Sequence, residues 1–149
     1  GIVRPPGKPA LLFFWAHWCP DCKSEMPILA KIKAEFVPQG LAFLAPTQKY
    51  GYVAGGVDAA PAVEIAYIEQ VRRKYYSGVI EAPVKVSEAN FTRYGASTTP
   101  TIVVIDRAGI VRLYHPGAMT YADLRAAVAK VIASRVGTNQ VGTKQVGTK

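Results

Sequence analysis

Two cysteines at the end of an apolar run constrain this chain more than any other feature. Cys19 and Cys22 are the only cysteines among its 149 residues, and the apolar run 11–16 comes just before them. Positions three apart share one face of a helix, so two thiols at this spacing can form and break a disulfide with little backbone movement. The pattern predicts a buried strand that leads into a helix start, where unpaired N–H groups favour a thiolate at Cys19.

A structural disulfide and part of a zinc site are the two other uses of such a cysteine pair. A disulfide that closes so short a loop constrains the unfolded chain little. A four-ligand zinc site would also need His17 and His115, of which the first is almost adjacent to Cys19 and the second is far away in sequence. The pattern W-C-x-x-C after an apolar strand therefore favours redox chemistry.

Two motifs carry a resemblance to a known family. The run F-W-A-H-W-C-P-D-C-K at 14–23 resembles the active-site signature of the thioredoxin superfamily, and E-M-P at 25–27 resembles its TlpA/ResA-like branch of thiol-disulfide oxidoreductases. The sequence T-T-P-T at 98–101 is similar to the cis-proline loop of that family. The resemblance covers residues 8–134, and it implies a thioredoxin-like fold.

The order of predicted elements agrees with that fold. It indicates an α/β domain over residues 1–135, with a mixed central sheet and helices on both faces. In the helix predicted over 61–76, the expected apolar stripe is Ile65, Ile68, Val71 and Tyr75. The other predicted elements are a helix over 20–36 kinked at Pro27, a strand over 41–45, a short strand over 83–86, a short helix from Ser87 to Gly95, a hairpin of strands 101–105 and 110–114, and a last helix opened by Thr120 and Asp123.

Two segments depart from a minimal thioredoxin. The interval between Cys19 and Pro100 is longer than thioredoxin itself implies and suits the TlpA/ResA-like branch, which carries a central insertion. We place this insertion within 46–83 and expect it to shape the substrate groove. The segment 136–149 repeats V-G-T three times, and a glycine-rich polar repeat cannot bury a core, so we predict a disordered tail.

The resemblance implies a redox reaction with protein or peptide thiols and disulfides, supplied by an upstream electron donor. Cys19 would attack and Cys22 would resolve the mixed disulfide, with no cofactor and no metal. A reductant of exported proteins, as in cytochrome c maturation, is the implied role, and its implied location is outside the cytoplasm. The residues expected to bind substrate are Trp18, Pro20, Asp21, Thr99 and Pro100.

The proton acceptor for Cys22 is left open by the sequence. In thioredoxin itself a buried acid stands where this chain has Phe13. In ResA-like relatives an acid follows the second strand, where this chain reads T-Q-K at 47–49. Water, Glu25 and Glu81 are the candidates, and Glu25 could equally be a solvated helix residue.

Other classes of protein are less compatible with the sequence. The net charge is +8, but the basic residues are scattered, so we expect no nucleic-acid partner. No apolar run approaches the ~20 residues of a membrane helix. Since the chain begins with Gly1 and not Met, we expect a processed or trimmed sequence, acting as a monomer, whose membrane anchor could lie elsewhere. The alternative is a Sco-like copper protein that uses Cys19, Cys22 and His115, although that family has three residues between its cysteines.

Overall fold

A computed structural model of the chain describes residues 3–81 and 85–134. In this part of the chain a four-stranded sheet has the order β2-β1-β3-β4. Short 3-10 turns lie at Val37–Gln39 and Ala54–Gly56. The strands are β1 (Ala10–Phe14), β2 (Ala42–Leu44), β3 (Thr101–Ile105) and β4 (Val111–Pro116), and the helices are α1 (Pro20–Ser24), α2 (Met26–Phe36), α3 (Pro61–Tyr75), α4 (Glu88–Tyr94) and α5 (Tyr121–Ala133).

The central strand β1 is parallel to β2 and antiparallel to β3. This pairing confirms the predicted mixed sheet. All five residues of β1 are buried, as expected for an uninterrupted apolar strand in a sheet that is covered on both faces. Successive side chains of a strand point to opposite faces, so Leu11 and Phe13 enter one core and Leu12 and Phe14 enter the other.

Helices cover both faces of the sheet, as predicted. On one face, buried residues of α2, α3 and α5 pack with Leu11 and Phe13. On the other face, Phe91 of α4 meets the ring of Phe14 edge to face at 5.1 Å. The chain therefore has the predicted thioredoxin-like arrangement. Among the described residues, no helix has the length and apolarity that crossing a membrane requires.

The helix predicted over 20–36 is two helices. The helix is interrupted at Glu25, two residues before the predicted kink at Pro27. Pro27 lies in the first turn of α2, where its missing N–H is tolerated because the first N–H groups of a helix have no intrahelical partner. A proline thus opens a second helix here and does not bend a single one.

The apolar stripe predicted for α3 is half wrong. Ile68 and Val71 are buried, but Ile65 and Tyr75 are 45% and 44% exposed. The buried face also holds the charged residues Glu64 and Arg72, with spacings of 4, 3 and 1 along the helix. The prediction counted apolar residues alone, and therefore placed Ile65 on the buried face of the helix in place of Glu64.

The remaining elements follow the prediction closely. The hairpin of β3 and β4 is present, but β4 begins at Val111 because the N–H of Ile110 is held in the turn by Asp106 Oδ1 at 3.0 Å. Thr120 Oγ1 accepts a hydrogen bond from the Asp123 N–H, which is one half of a capping box.

Two further predictions concern residues near or beyond the described ranges. Helix α4 follows Ser87 and ends at Gly95, which adopts a left-handed φ of 64°. Of the predicted strand 83–86, residues 83 and 84 lie outside the described residues, and Val86 forms an isolated bridge with Thr47. The predicted tail 136–149 lies outside them as well.

Candidate active site

Cys19 and Cys22 are joined by a disulfide at the start of α1. Their Cα atoms are 5.3 Å apart, within the ordinary range for a disulfide. Cys19 is the N-cap residue, and its Sγ accepts a hydrogen bond from the backbone N–H of Cys22 at 3.1 Å. Pro20 occupies the first helical position, where proline suits the helix geometry. The predicted placement of the cysteines at a helix start is thus confirmed.

Burial does not distinguish the two cysteines. Cys19 is 1% exposed and Cys22 is 0% exposed, so both are buried in this disulfide form. What distinguishes them is the N-cap, because the Cys22 N–H would stabilise negative charge on Cys19 Sγ. The surface beside them includes Pro20 and Asp21, both exposed, and Trp18, which is 44% exposed.

The loop at 98–101 lies at the same end of the sheet as the cysteine pair. Thr101 pairs with Phe14 in the antiparallel register of β1 and β3, and β1 leads directly to Trp18 and Cys19. The Thr99–Pro100 peptide bond is cis, as predicted. The Thr99 hydroxyl is buried and has no hydrogen-bond partner among the described residues.

Glu25 is a buried acid one helical turn after Cys22. Its side chain is not solvated, since the residue is 2% exposed and Oε1 accepts a 2.8 Å hydrogen bond from the Met119 N–H. Burial raises the pKa of Glu25, and the hydrogen bond from Met119 and the charge of His115 oppose this change. Glu25 is the C-cap residue of α1, three positions after Cys22 in the chain.

The other regions considered for proton transfer lie differently. The side chain of Glu81 is 72% exposed, and its Oε1 lies 3.9 Å from Nζ of Lys33, a residue of α2. Thr47, which follows β2, donates a 2.6 Å hydrogen bond from Oγ1 to the Trp15 carbonyl. Phe13 is buried in the core. Of the two glutamates considered for proton transfer, Glu25 is buried and Glu81 is exposed.

Sequence reasoning missed a buried contact between a histidine and a glutamate beside the active site. His17 Nε2 is 3.3 Å from Glu64 Oε1, and both side chains are 1% exposed. Burial lowers the pKa of His17, whereas the hydrogen bond and charge of Glu64 and a backbone hydrogen bond to Tyr52 act in the opposite direction. The available signal was His17 itself, a titratable residue between an apolar strand and Cys19.

Aromatic rings surround His17. The rings of Tyr50, Tyr52 and Tyr67 meet the imidazole edge to face, with centroids 5.2 to 5.9 Å away. Tyr50 also contacts Trp18 edge to face at 5.5 Å. These three tyrosines lie within 46–83, the segment in which we predict a central insertion, so this segment packs directly on the active-site loop.

The copper-binding alternative needs His115 beside the cysteines. Within the described ranges, no three His, Cys, Asp or Glu residues form a group that could hold a metal ion. His115 lies on β4 opposite Ile102, and its Nδ1 is 3.2 Å from the Gly117 carbonyl. The structure therefore offers no support for a copper site of Cys19, Cys22 and His115.

Comparison with known proteins finds relatives with related names. YneN, a thioredoxin-like protein of Bacillus subtilis, is 28% identical over 119 residues, which cover 79% of this chain and 62% of YneN. The thiol-disulfide oxidoreductase ResA of Halalkalibacterium halodurans is 27% identical over 114 residues, which cover 76% of this chain and 57% of ResA. The chain thus spans about three fifths of the length of these relatives.

Fold comparison and family assignment agree with these relatives. The exposed lipoprotein thioredoxin Etrx1 of Streptococcus pneumoniae has a TM-score of 0.63 at 24% identity, with 83% of this chain and 85% of that chain covered. The family described as Thioredoxin-like domain matches residues 2–132. The resemblance to ResA-like thiol-disulfide oxidoreductases is confirmed, and the chain belongs to the thioredoxin-like domain family.

Proposed function

We propose that this chain is a thiol-disulfide oxidoreductase that exchanges disulfides with protein or peptide substrates. The observation that carries the proposal is the hydrogen bond from the Cys22 N–H to Cys19 Sγ in a disulfide at a helix N-terminus. This N–H would favour the thiolate of Cys19 after reduction. The thiolate is the form of cysteine that attacks disulfides.

The reducing reaction has two steps. The Cys19 thiolate attacks one sulfur of a substrate disulfide, so that a mixed disulfide forms and one substrate thiolate leaves. The Cys22 thiol then loses its proton and attacks Cys19 Sγ, which restores the Cys19–Cys22 disulfide and releases the second substrate thiol. Two electrons pass from the cysteine pair to the substrate. We assign the proton of Cys22 to Glu25, a buried carboxyl group three residues further along the chain.

The proposed substrate groove lies between two loops at one end of the sheet. Trp18, Pro20 and Asp21 would line it on the α1 side, and Thr99 and Pro100 on the side of β3. The register between Phe14 and Thr101 supports this arrangement, because it places both loops at the same end.

The biological setting is also part of the proposal. The chain would act as a monomer on exported proteins outside the cytoplasm and receive electrons from an upstream donor. Cytochrome c maturation is the process that the resemblance to ResA-like proteins implies. In support, the curated relatives include thiol-disulfide oxidoreductases and thiol:disulfide interchange proteins.

Trapping of mixed disulfides tests the roles of the two cysteines. A Cys22→Ser variant should still attack a substrate disulfide but cannot resolve the adduct, so covalent partners should accumulate and be released by added thiol. Cys19→Ser should trap little. Each variant would be expressed in a cell that exports proteins through an oxidising compartment, and adducts would be compared on non-reducing gels.

Two outcomes would contradict the assignment of Cys19. One is equal trapping by both variants, and the other is trapping by Cys19→Ser alone. If neither variant forms adducts and the wild-type protein reduces no peptide disulfide in solution, the proposed activity itself is wrong.

A further inference from the structure

Glu64 has an unusual position for a carboxylate. It is 0% exposed, and both of its oxygens accept hydrogen bonds from elements outside its own helix. Oε1 accepts from the Tyr50 N–H and from His17 Nε2, and Oε2 accepts from the Gly51 N–H at 2.9 Å. A buried charge is tolerated only when hydrogen bonds replace its lost hydration, and Glu64 has three.

These hydrogen bonds join three parts of the chain. Glu64 lies in α3, Tyr50 and Gly51 lie in the loop after β2, and His17 lies two residues before Cys19. A single carboxylate therefore fixes the insertion to the active-site loop. Glu64 itself has no exposed surface with which to meet a substrate.

The effect of this anchor reaches the surface beside Cys19 through Tyr50. Glu64 holds the backbone of Tyr50, and the ring of Tyr50 meets Trp18 at 5.5 Å. Trp18 is the neighbour of Cys19 and is 44% exposed. We call the half-exposed area made by Trp18 and Tyr50 the aromatic wall.

A fixed aromatic wall is suited to apolar side chains. Aromatic rings offer a large apolar area with few rotatable bonds, so little conformational entropy is lost when another apolar group packs on them. The edge-to-face contact between Tyr50 and Trp18 leaves the Trp18 ring oriented before any substrate arrives. Preorganisation of this kind lowers the cost of binding.

We propose that Glu64 is a positioning residue for substrate recognition, which holds the aromatic wall beside Cys19 for substrates with an apolar or aromatic side chain next to the reacting cysteine. This inference rests on the proposed disulfide exchange. It assigns to the central insertion a role in substrate choice, and it leaves the exchange chemistry to Cys19 and Cys22.

The test compares two peptides and one small disulfide. Each peptide is cyclised by a single disulfide, and the two differ only in having Phe or Ser next to the first cysteine. Hydroxyethyl disulfide reports the exchange chemistry without peptide contacts. Reduced wild-type protein should prefer the Phe peptide by about tenfold in kcat/KM, mainly through KM.

Two pairs of variants separate positioning from other effects. Glu64→Gln should lose most of the preference for the Phe peptide, while Glu69→Gln, the same change on the same helix at a carboxylate that pairs with Arg72 and Arg73, should keep it. Tyr50→Leu should lose the preference, and Tyr50→Phe should keep it because the ring remains. Glu64→Gln and Tyr50→Leu should lose more of the rate with the Phe peptide than of the rate with hydroxyethyl disulfide, whereas Glu69→Gln should match wild type with both.

The outcomes decide between the two proposals. A wild-type protein that reduces all three disulfides without preferring Phe, or a Tyr50→Leu variant that keeps the preference, overturns the positioning role only. Equal losses with peptides and with hydroxyethyl disulfide overturn it as well. A folded Glu64→Gln variant that keeps the preference overturns the positioning role; if that variant does not fold, a Tyr50→Leu variant that keeps the preference overturns the inference. A wild-type protein that reduces none of the three overturns the proposed function and this inference together.

Discussion

Glu25 Oε1 accepts a 2.8 Å hydrogen bond from the backbone N–H of Met119, a residue 94 positions away in the chain. The bond joins the break between α1 and α2 to the segment that precedes α5. It also fixes the orientation of a buried carboxyl group at the end of the helix that carries Cys22. A solvated glutamate would have neither the raised pKa nor the fixed direction that proton transfer benefits from.

Replacing Glu25 with Gln should slow the resolution of mixed disulfides, on the order of a hundredfold, because Gln cannot accept the Cys22 proton. The amide oxygen of Gln can keep the hydrogen bond from Met119. Single-turnover kinetics with a disulfide-bonded peptide would measure the resolution step. Glu81→Gln, which alters an exposed carboxyl group, is the control. Equal rates for wild type and Glu25→Gln would exclude Glu25 as the acceptor.

The same variant should change the pH dependence of stability. Burial raises the pKa of Glu25 above its ordinary value of 4.5, so folding favours the protonated form. This contribution is complete below the ordinary value and is lost as pH rises through the raised pKa. Glu25→Gln should therefore melt at or above the wild-type temperature at neutral pH, and the two curves should converge in acid. A lower Tm at neutral pH would contradict this sign.

The Cys19–Cys22 couple should be reducing, with a potential near the value of thioredoxin, about −270 mV, and far from that of DsbA, about −120 mV. This expectation follows from the role of reductant that the resemblance to ResA-like proteins implies. The protein would be equilibrated with redox buffers of known potential, and tryptophan fluorescence would report the fraction that is reduced. A value near −120 mV would indicate an oxidant instead.

Tyr76→Phe should leave the stability unchanged or raise it by up to about 1 kcal/mol. Tyr76 is fully buried against Trp15, with ring centroids 4.7 Å apart, and burial raises the pKa of its hydroxyl. That hydroxyl has no hydrogen-bond partner among the described residues. Urea unfolding measures the change. A loss of more than about 1 kcal/mol would show that the hydroxyl makes a hydrogen bond in the folded protein.

Deletion of residues 136–149 should change neither Tm nor the rate of disulfide reduction, because the repeat V-G-T lacks residues that could build a core. Differential scanning fluorimetry and the peptide assay would compare the two lengths. A clear fall in Tm on deletion would mean that the tail packs on the domain.

The sequence predicted the parts of the fold that depend on apolar periodicity and short motifs. The apolar run before Cys19 forms the central strand and C-P-D-C begins a helix, as predicted, because both structures depend on residues that are adjacent in the sequence. The cis peptide at Pro100 was predicted only through the family resemblance. The division of the first helix at Glu25 was not predicted, because Pro27 indicated a kink in a single helix.

The central insertion was harder to predict for a physical reason. Its contact with the site is made by Glu64, and a charged residue counts as exposed in any analysis of apolar patterns. Its burial depends on donors at Tyr50, Gly51 and His17, which come from other parts of the chain. Such an arrangement leaves no pattern in the residue spacing of a single helix. The predicted buried face of α3 was therefore centred on Ile65 and not on Glu64.

The backbone N–H groups of Tyr50 and Gly51 donate hydrogen bonds to the carboxylate of Glu64, which has no exposed surface. These two N–H groups can therefore report motion beside the cysteine pair. Their protons can exchange with solvent deuterium only when the loop separates from Glu64. Hydrogen exchange at these two amides would therefore time the opening of the insertion, in the oxidised and the reduced protein alike, with no substrate present. If a bound partner slows the exchange, the insertion closes over it; if a partner speeds the exchange, the insertion is displaced.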